Sequence, residues 1–275
     1  MNPLLPVLGY CAADFPQAEK LLDHLANLKG KTPSGHILLV AAPDTHPEMH
    51  KRMEIAAHIG FAHVAMLPVG WPKDASRSKA EGINNLMRTA FQFISSTYRV
   101  PFVWLEPDAV PLNPVWLERL ADEYSHQVKH LFTPILLDSD KRKAIGRVGV
   151  YPANCWPLLS PYFDVAAKDK PQKQWTVSGG ADLAVKSAKN RLIQHLNYTA
   201  ETKVEEVRLD AVIVHGDKQG VLLASLMEGP AADVQIEDLL KKVGAEPLTP
   251  PISPERRGPG RPPKSSGKVI QTAAV

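Results

Sequence analysis

Four short apolar segments alternate with segments of helical periodicity over the first half of this 275-residue chain. In the longest helical segment, apolar residues recur at intervals of three and four, at Ile83, Leu86, Met87, Ala90, Phe91 and Ile94. A strand that is apolar throughout is typical of a parallel sheet whose two faces are both covered. The alternation therefore predicts an α/β fold, with a mostly parallel sheet and helices on both faces. The predicted strands are residues 6–11, 36–42, 62–69 and 100–105.

Capping residues and prolines mark the predicted helix starts. A side-chain oxygen can accept a hydrogen bond from the free amide groups of a first turn, and proline needs no amide hydrogen there. Three such pairs occur, namely Asp14 with Pro16, Thr45 with Pro47 and Asn113 with Pro114. The second half is less regular: residues 131–165 predict loops and short antiparallel strands, 187–196 a helix and 211–214 a strand.

The net charge lies in the C-terminal segment. The whole chain has a formal charge of +3, and residues 245–275 contain five basic and two acidic residues. Residues 1–244 are therefore formally neutral, so any attraction to a polyanion comes from the tail. Six prolines among residues 249–264 and few apolar side chains predict a disordered tail after one folded domain.

The sequence shows no segment typical of membrane insertion or secretion. No apolar run approaches the roughly 18 residues that span a bilayer, and the N-terminus lacks the basic and apolar regions of a signal peptide. Cys11 and Cys155 show no metal-ligand spacing, and we predict that both are buried thiols. The sequence therefore predicts a cytoplasmic protein, in the host cytoplasm if it is viral, with no membrane partner.

Two carboxylates follow the fourth predicted strand, in the sequence Glu106-Pro107-Asp108. In open α/β sheets, ligands bind at the carboxyl ends of the strands. Side chains two residues apart in an extended chain point to the same side, and Pro107 restricts the backbone between them. Such a pair can hold a divalent cation through its oxygens. The alternative is a solvated loop in which Asp108 forms a turn.

A histidine follows the predicted strand at residues 211–214. His215 can add a nitrogen ligand to a cation held by Glu106 and Asp108, which favours Mn²⁺ over Mg²⁺. Lys218, three residues further on, can meet a phosphate as a point charge. A purely structural role is the alternative for a histidine at a strand end.

These motifs resemble those of the GT-A glycosyltransferases, over about residues 4–226. That family has a Rossmann-like nucleotide-binding half, an Asp-x-Asp motif after the fourth core strand and often a late metal-binding histidine. Here the motif begins with Glu106 instead of aspartate. The resemblance implies that Glu106, Asp108 and His215 bind Mn²⁺ or Mg²⁺. The metal would stabilise the diphosphate of a nucleotide-sugar as the leaving group.

The resemblance also implies where the donor, a UDP-sugar, binds. The end of the first strand, residues 10–14, corresponds to the region that holds the nucleotide base. The start of the helix over 83–94 corresponds to a region that contacts the nucleotide or sugar. The implied donor-binding residues are Tyr10, Asp14, Lys79, Asn84, Asn85, Glu106 and Lys218.

The acceptor side is weakly marked. An inverting transferase needs a carboxylate base that removes the proton of the acceptor hydroxyl. Asp182, after a glycine turn, is the first candidate and Asp217 the second, and a helix-capping role is the alternative for Asp182. Arg142, Lys143 and Arg147 form a basic loop that either meets phosphates or stays solvated.

The tail contains a motif that resembles an AT-hook. A narrow, extended peptide fits the minor groove of A·T-rich DNA, whose negative potential attracts an inserted arginine. The usual arginine before the central glycine is Pro259 here, which weakens binding. The alternative is a generic basic linker. The residues implied in DNA binding are Arg257, Gly260, Arg261, Pro262 and Lys264.

The two parts together predict a sugar transferase that is held on DNA. Its acceptor would be the hydroxyl of a modified base such as 5-hydroxymethyluracil or 5-hydroxymethylcytosine, and in this the chain resembles viral DNA glucosyltransferases. Two alternatives stay open. One is a transferase that acts on a glycan, lipid or protein, and the other is a non-enzymatic DNA-binding protein on a transferase scaffold.

Overall fold

The computed structural model describes residues 4–32, 34–71, 79–127, 131–137, 143–169, 176, 180–188 and 190–227. The strands in this part of the chain are β1 (Leu5–Tyr10), β2 (His36–Ala41), β3 (His63–Pro68), β4 (Phe102–Leu105), β5 (Ala109–Pro111), β6 (Ile135–Leu137), β7 (Lys143–Ile145), β8 (Gly149–Tyr151), β9 (Ile193–His195) and β10 (Ile213–His215). They form three sheets, with the strand orders β3-β2-β1-β4-β8, β5-β10-β9 and β6-β7.

The central five-stranded sheet is mostly parallel, as predicted. β1 pairs parallel with both β2 and β4, and β3 pairs parallel with β2. β3 forms one edge of the sheet, and β8 forms the other edge, where it pairs antiparallel with β4. Because the strand order reverses between β1 and β4, a crevice is expected at their carboxyl ends, where ligands bind in such sheets.

Helices cover both faces of this sheet, which confirms the predicted layering. The described helices are α1 (Phe15–Leu28), α2 (Pro47–Gly60), α3 (Lys79–Thr97), α4 (Trp116–Ser125), α5 (Cys155–Asp169), α6 (Gly180–Lys186) and α7 (Val221–Met227). Alternate residues of β1 enter different cores: Leu8 belongs to the cluster that contains Leu22 of α1, and Val7 to the cluster that contains Phe91 of α3. Within the described residues, no helix has both the length and the apolar character needed to cross a membrane.

A small second sheet, formed by β5, β10 and β9, joins the end of β4 to the end of β10. β5 begins directly after the acidic motif and pairs antiparallel with β10, and Ala109 lies opposite His215. β9 pairs parallel with β10 on the other side, and His195 lies opposite His215. This sheet therefore brings residues that are distant in sequence to one place.

The predicted helix over 187–196 is wrong. Ser187 lies in an isolated bridge with Leu131, and Ile193–His195 forms β9. The pairing of β9 with β10 outweighs the helical pattern of the local sequence, because tertiary context overrides a weak propensity.

Two further predictions in the irregular parts are corrected. Helix α4 begins at Trp116, and the buried side-chain amide of Asn113 has no hydrogen-bond partner within the described part of the chain, so Asn113 is not its cap. The segment predicted as loops and short strands contains β6, β7 and β8, but it also contains α5. Pro157 lies in the first turn of that helix, a position that tolerates proline, although Pro161 lies inside it.

Candidate metal and nucleotide site

Glu106, Asp108 and His215 converge at the carboxyl end of β4. One ligand atom from each lies within 4.8 Å of the others. His215 Nε2 is 3.3 Å from Glu106 Oε2 and 3.4 Å from Asp108 Oδ1. The structure therefore brings together the three residues that the sequence proposed as metal ligands.

Strand pairing explains this convergence. Because Ala109 of β5 lies opposite His215 of β10, the residue before β5 must lie beside the residue after β10. The backbone amides of Gly216 and Asp217 both donate to the carbonyl oxygen of Asp108, at 3.0 and 3.2 Å. Gly216 has a φ of +120°, and a Cβ there would lie 2.5 Å from the carbonyl oxygen of Leu196. Glycine is therefore required at this turn.

A mostly buried arginine holds the first carboxylate of the motif. β8 pairs antiparallel with β4, and Trp104 lies opposite Gly149, so the same register places Arg147 opposite Glu106. The Arg147 guanidinium donates through Nη2 to Glu106 Oε2 at 2.7 Å and through Nε to Oε1. Tyr151 Oη donates to the carbonyl oxygen of Arg147 at 2.6 Å and fixes its backbone. The pair is bidentate, the strongest geometry for arginine and carboxylate.

The environment keeps Glu106 ionised. Burial alone would raise the pKa of Glu106, but the Arg147 guanidinium and the hydrogen bond from His215 hold that pKa well below its usual range. For His215, burial would lower the pKa, but hydrogen bonds to Asp108 and Glu106 outweigh burial and raise it to about 9. These carboxylates therefore favour positive charge at this point in the fold.

A second histidine supports His215 from behind. The parallel register of β9 and β10 places His195 beside His215, and their Nδ1 atoms are 3.2 Å apart. Burial, and then the nearby His215, lower the pKa of His195, so its neutral form is favoured. If His215 binds a cation through Nε2, its ring proton lies on Nδ1 and can be donated to His195 Nδ1.

The donor set fits a divalent cation. Two carboxylates and one imidazole are ligands that Mn²⁺ accepts readily, whereas Mg²⁺ prefers oxygen alone. The side chains of His215, Glu106 and Asp108 are 7%, 14% and 16% exposed, so the group is mostly buried but keeps some contact with solvent. Three protein ligands leave coordination positions for the oxygens of a phosphate or for water.

Residues predicted at the end of the first strand differ in their exposure. Tyr10 is 1% exposed and packs in the core, where its hydroxyl contacts the Met66 sulfur at 3.7 Å. We therefore assign Tyr10 no direct contact with a nucleotide. Asp14 is exposed at the start of α1 and accepts a hydrogen bond from Cys11 Sγ at 3.1 Å. Of these two, only Asp14 offers surface to a ligand.

The other predicted donor-binding residues lie on α3 and after β10. Asn85 is buried; its Nδ2 donates to the carbonyl oxygen of Gly70 at 2.9 Å, and its Oδ1 accepts from Arg88. Its amide therefore ties α3 to Gly70. Asn84 is partly exposed and Lys218 is exposed. Lys79 is the first residue of α3, and its side chain lies outside the part of the chain that the structure describes.

Asp217 has a structural role that sequence reasoning missed. It is fully buried, and its two carboxylate oxygens accept hydrogen bonds from the amides of Leu222, at 3.1 Å, and Leu223, at 2.9 Å. These are free amides of the first turn of α7, so Asp217 caps that helix. Because both oxygens are engaged and hidden, we withdraw Asp217 as a candidate base.

Most of the remaining predicted residues lie outside the described part of the chain. Asp182 is exposed in the first turn of α6. Arg142 lies outside the described residues, as does the side chain of Lys143 in β7. The DNA-binding residues predicted in the tail also lie outside the described residues; they are Arg257, Gly260, Arg261, Pro262 and Lys264.

The arrangement of strands and helices is that of the GT-A glycosyltransferase fold. An active-site mutant of LgtC is 8% identical to this chain with a TM-score of 0.50, and the match covers 88% of this chain and 95% of that one. LgtC with donor and acceptor sugar analogues, described as a galactosyltransferase, is 9% identical with a TM-score of 0.48, over 90% and 98% of the two chains.

A third similar structure is larger than this chain. The glycosyltransferase GlyE of Streptococcus pneumoniae is 11% identical with a TM-score of 0.48; the match covers 87% of this chain and 61% of GlyE. This chain therefore spans about three fifths of the length of GlyE. No model of a protein family matches the sequence, and neither does any curated protein. At 8% identity, the match to the LgtC mutant, with its TM-score of 0.50, supports the fold alone.

Proposed function

We propose that this protein is a metal-dependent glycosyltransferase that moves a sugar from a nucleotide-sugar to an acceptor hydroxyl. The observation that carries the proposal is the convergence of Glu106, Asp108 and His215 where β4 ends, at the ligand-binding edge of a GT-A fold. Carboxylate and imidazole ligands of this kind hold Mn²⁺, and a strand-end position is the expected one for a donor diphosphate.

Each residue has a role in this proposal. Asp108, in the turn before β5, and His215, the last residue of β10, hold the cation, and Glu106 contributes a carboxylate that Arg147 orients. The cation, when bound, supplies positive charge where the diphosphate departs. Lys218, exposed three residues after His215, provides a further point charge for the phosphates.

Donor hydrolysis tests the metal-dependent step. The purified full chain would be incubated with MnCl₂ and a panel of nucleotide-sugars, UDP-sugars first, and the nucleoside diphosphate released would be measured. We expect release with one donor that chelation abolishes. Asp108→Asn should lose about 100-fold or more of this activity, as expected for the loss of a metal ligand. Asp122→Asn, an exposed substitution on α4, is the matched control and should keep full activity. Unchanged hydrolysis by Asp108→Asn would contradict the proposal.

For the acceptor, we propose a hydroxymethylated pyrimidine in DNA. The Gly260-Arg261-Pro262 motif in a basic tail, after a formally neutral domain, supports DNA as the partner. Asp182 is the proposed base if the reaction inverts the sugar, because its carboxylate is exposed. Both cysteines are free thiols, which supports a reducing compartment such as the cytoplasm.

Nucleoside mass spectrometry tests the acceptor. DNA that contains 5-hydroxymethyluracil or 5-hydroxymethylcytosine would be treated with the protein, Mn²⁺ and the active donor. A gain of one sugar mass on the modified nucleoside is expected. Arg261→Ala should weaken DNA binding and leave donor hydrolysis unchanged. Donor hydrolysis without any nucleoside mass gain would point to a glycan, lipid or protein acceptor.

A further inference from the structure

The Arg147–Glu106 pair sets the charge of the candidate metal site. The side chains of Arg147 and Glu106 are 19% and 14% exposed, and two donors of the guanidinium meet the two oxygens of the carboxylate. Glu106 Oε2, which accepts from Arg147, is also the oxygen that faces His215 Nε2. Arg147 therefore lies directly against the ligand group.

Formal charges show what this arginine changes. A histidine that binds a cation through its lone pair is neutral, so His215 adds no charge when it is a ligand. Glu106 and Asp108 contribute two negative charges, which would balance a divalent cation. Arg147 adds one positive charge, so the protein groups together carry −1 and the site with a divalent cation carries +1.

This excess charge is weakly screened. Salt screens buried charges much less than exposed ones, and like charges at short range in a protein repel more strongly than in water. A diphosphate brings at least two negative charges and removes the repulsion. Resting on the function proposed above, we infer that Arg147 couples the two ligands: it weakens binding of the cation alone and strengthens binding of the cation together with a nucleoside diphosphate.

A simpler role for Arg147 makes a different prediction. If Arg147 only holds the Glu106 side chain in place, its removal weakens cation binding by the same factor with and without nucleotide. A coupling role changes the ratio of the two affinities. That ratio is the quantity to measure, because coupling between two ligands is a property of their joint binding.

Manganese binding gives this ratio directly. Free Mn²⁺ would be followed by electron paramagnetic resonance while it is titrated with the full chain, alone and with UDP, GDP, ADP or CDP, after correction for Mn²⁺–nucleotide complexes in solution. For the wild type, the nucleotide that fits is expected to tighten Mn²⁺ binding by on the order of tenfold or more. Arg147→Gln should bind Mn²⁺ alone more tightly than the wild type, and its ratio should fall to about threefold or less.

Two further variants separate charge from shape. Arg147→Lys keeps the positive charge without the bidentate geometry and should keep most of the coupling. Glu106→Gln makes the protein groups neutral and should increase the ratio above that of the wild type, so it tests the idea even if Arg147→Gln does not fold. Equal ratios in the wild type, Arg147→Gln and Glu106→Gln would overturn the inference while leaving the proposed function intact. Absence of Mn²⁺ binding by the wild type under both conditions would overturn both.

Discussion

If the site binds a cation as proposed, removing the imidazole of His195 should weaken that binding, although His195 is not one of the three proposed ligands. The proposed contact joins Nδ1 of His215, as donor, to Nδ1 of His195, as acceptor, at 3.2 Å. The rings meet at 66° with centroids 4.8 Å apart, so His195 fixes the plane of the His215 ring as well as its tautomer. His195→Phe keeps an aromatic ring and removes the acceptor. His195→Asn keeps an acceptor atom close to the position of Nδ1.

The size of the effect follows from the hydrogen bond. Hydrogen bonds to charged groups contribute about 1.5–3 kcal/mol, and a metal-bound imidazole behaves as such a donor. The separation of 3.2 Å is at the long end of the normal range, so about 1.5 kcal/mol is appropriate. That free energy corresponds to roughly a tenfold increase in Kd. Replacing the hydrogen-bond partner of a metal ligand typically costs about 10–100-fold in affinity, so the expected loss lies at the lower end of that range.

Calorimetric titration with MnCl₂, in the presence of the nucleoside diphosphate that fits, measures this loss. His195→Phe should raise the Kd for Mn²⁺ roughly tenfold, and His195→Asn should stay within about threefold of the wild type. Because His195 lies partly exposed at the protein surface, the melting temperature of either variant should change little. Wild-type affinity in His195→Phe would refute the argument that His195 orients the metal-binding ring.

Three substitutions and one control test the structure around the site by thermal unfolding. Gly9→Ala should lower the free energy of unfolding by about 1–3 kcal/mol, because the new Cβ would lie 2.3 Å from the buried ring of Trp104. The control Gly70→Ala should be tolerated, because its Cβ would meet no atom within 4 Å. Asp217→Ala should cost about 1–2 kcal/mol through the lost cap of α7; an unchanged melting temperature would contradict that role. Gly216→Ala should cost about 1–3 kcal/mol through backbone strain at positive φ and should also weaken Mn²⁺ binding, which a substitution remote from the site would not do.

The first half of the fold could be predicted because its signals are local and repeated. Strands β1 to β4 are continuous apolar segments, and the helices between them carry apolar faces that need no knowledge of pairing. The end of a predicted parallel strand is also a predictable position for a ligand. Glu106, Asp108 and His215 could therefore be chosen as a group before any distance was known.

The residues that contact these three side chains are set by strand register. Sequence patterns do not specify the register of strands that are only three residues long. Arg147 lies opposite Glu106 through the pairing of β8 with β4, and His195 lies beside His215 through the pairing of β9 with β10. Strands this short carry too few residues to show alternation. Arg147 was visible only as part of a basic loop, and His195 fell within a segment predicted as helix. Asp217 was misjudged because α7, the helix it caps, was not predicted.

The order in which the ribosome delivers these residues has a consequence for how the protein matures. Glu106 and Asp108 emerge about a hundred residues before His215, so at about 5–20 residues per second they wait several seconds for it. Arg147 arrives in that interval and can already neutralise Glu106 through β8. The imidazole is the last of these groups to arrive, and manganese capture by a nascent chain would therefore mark the moment when β10 docks.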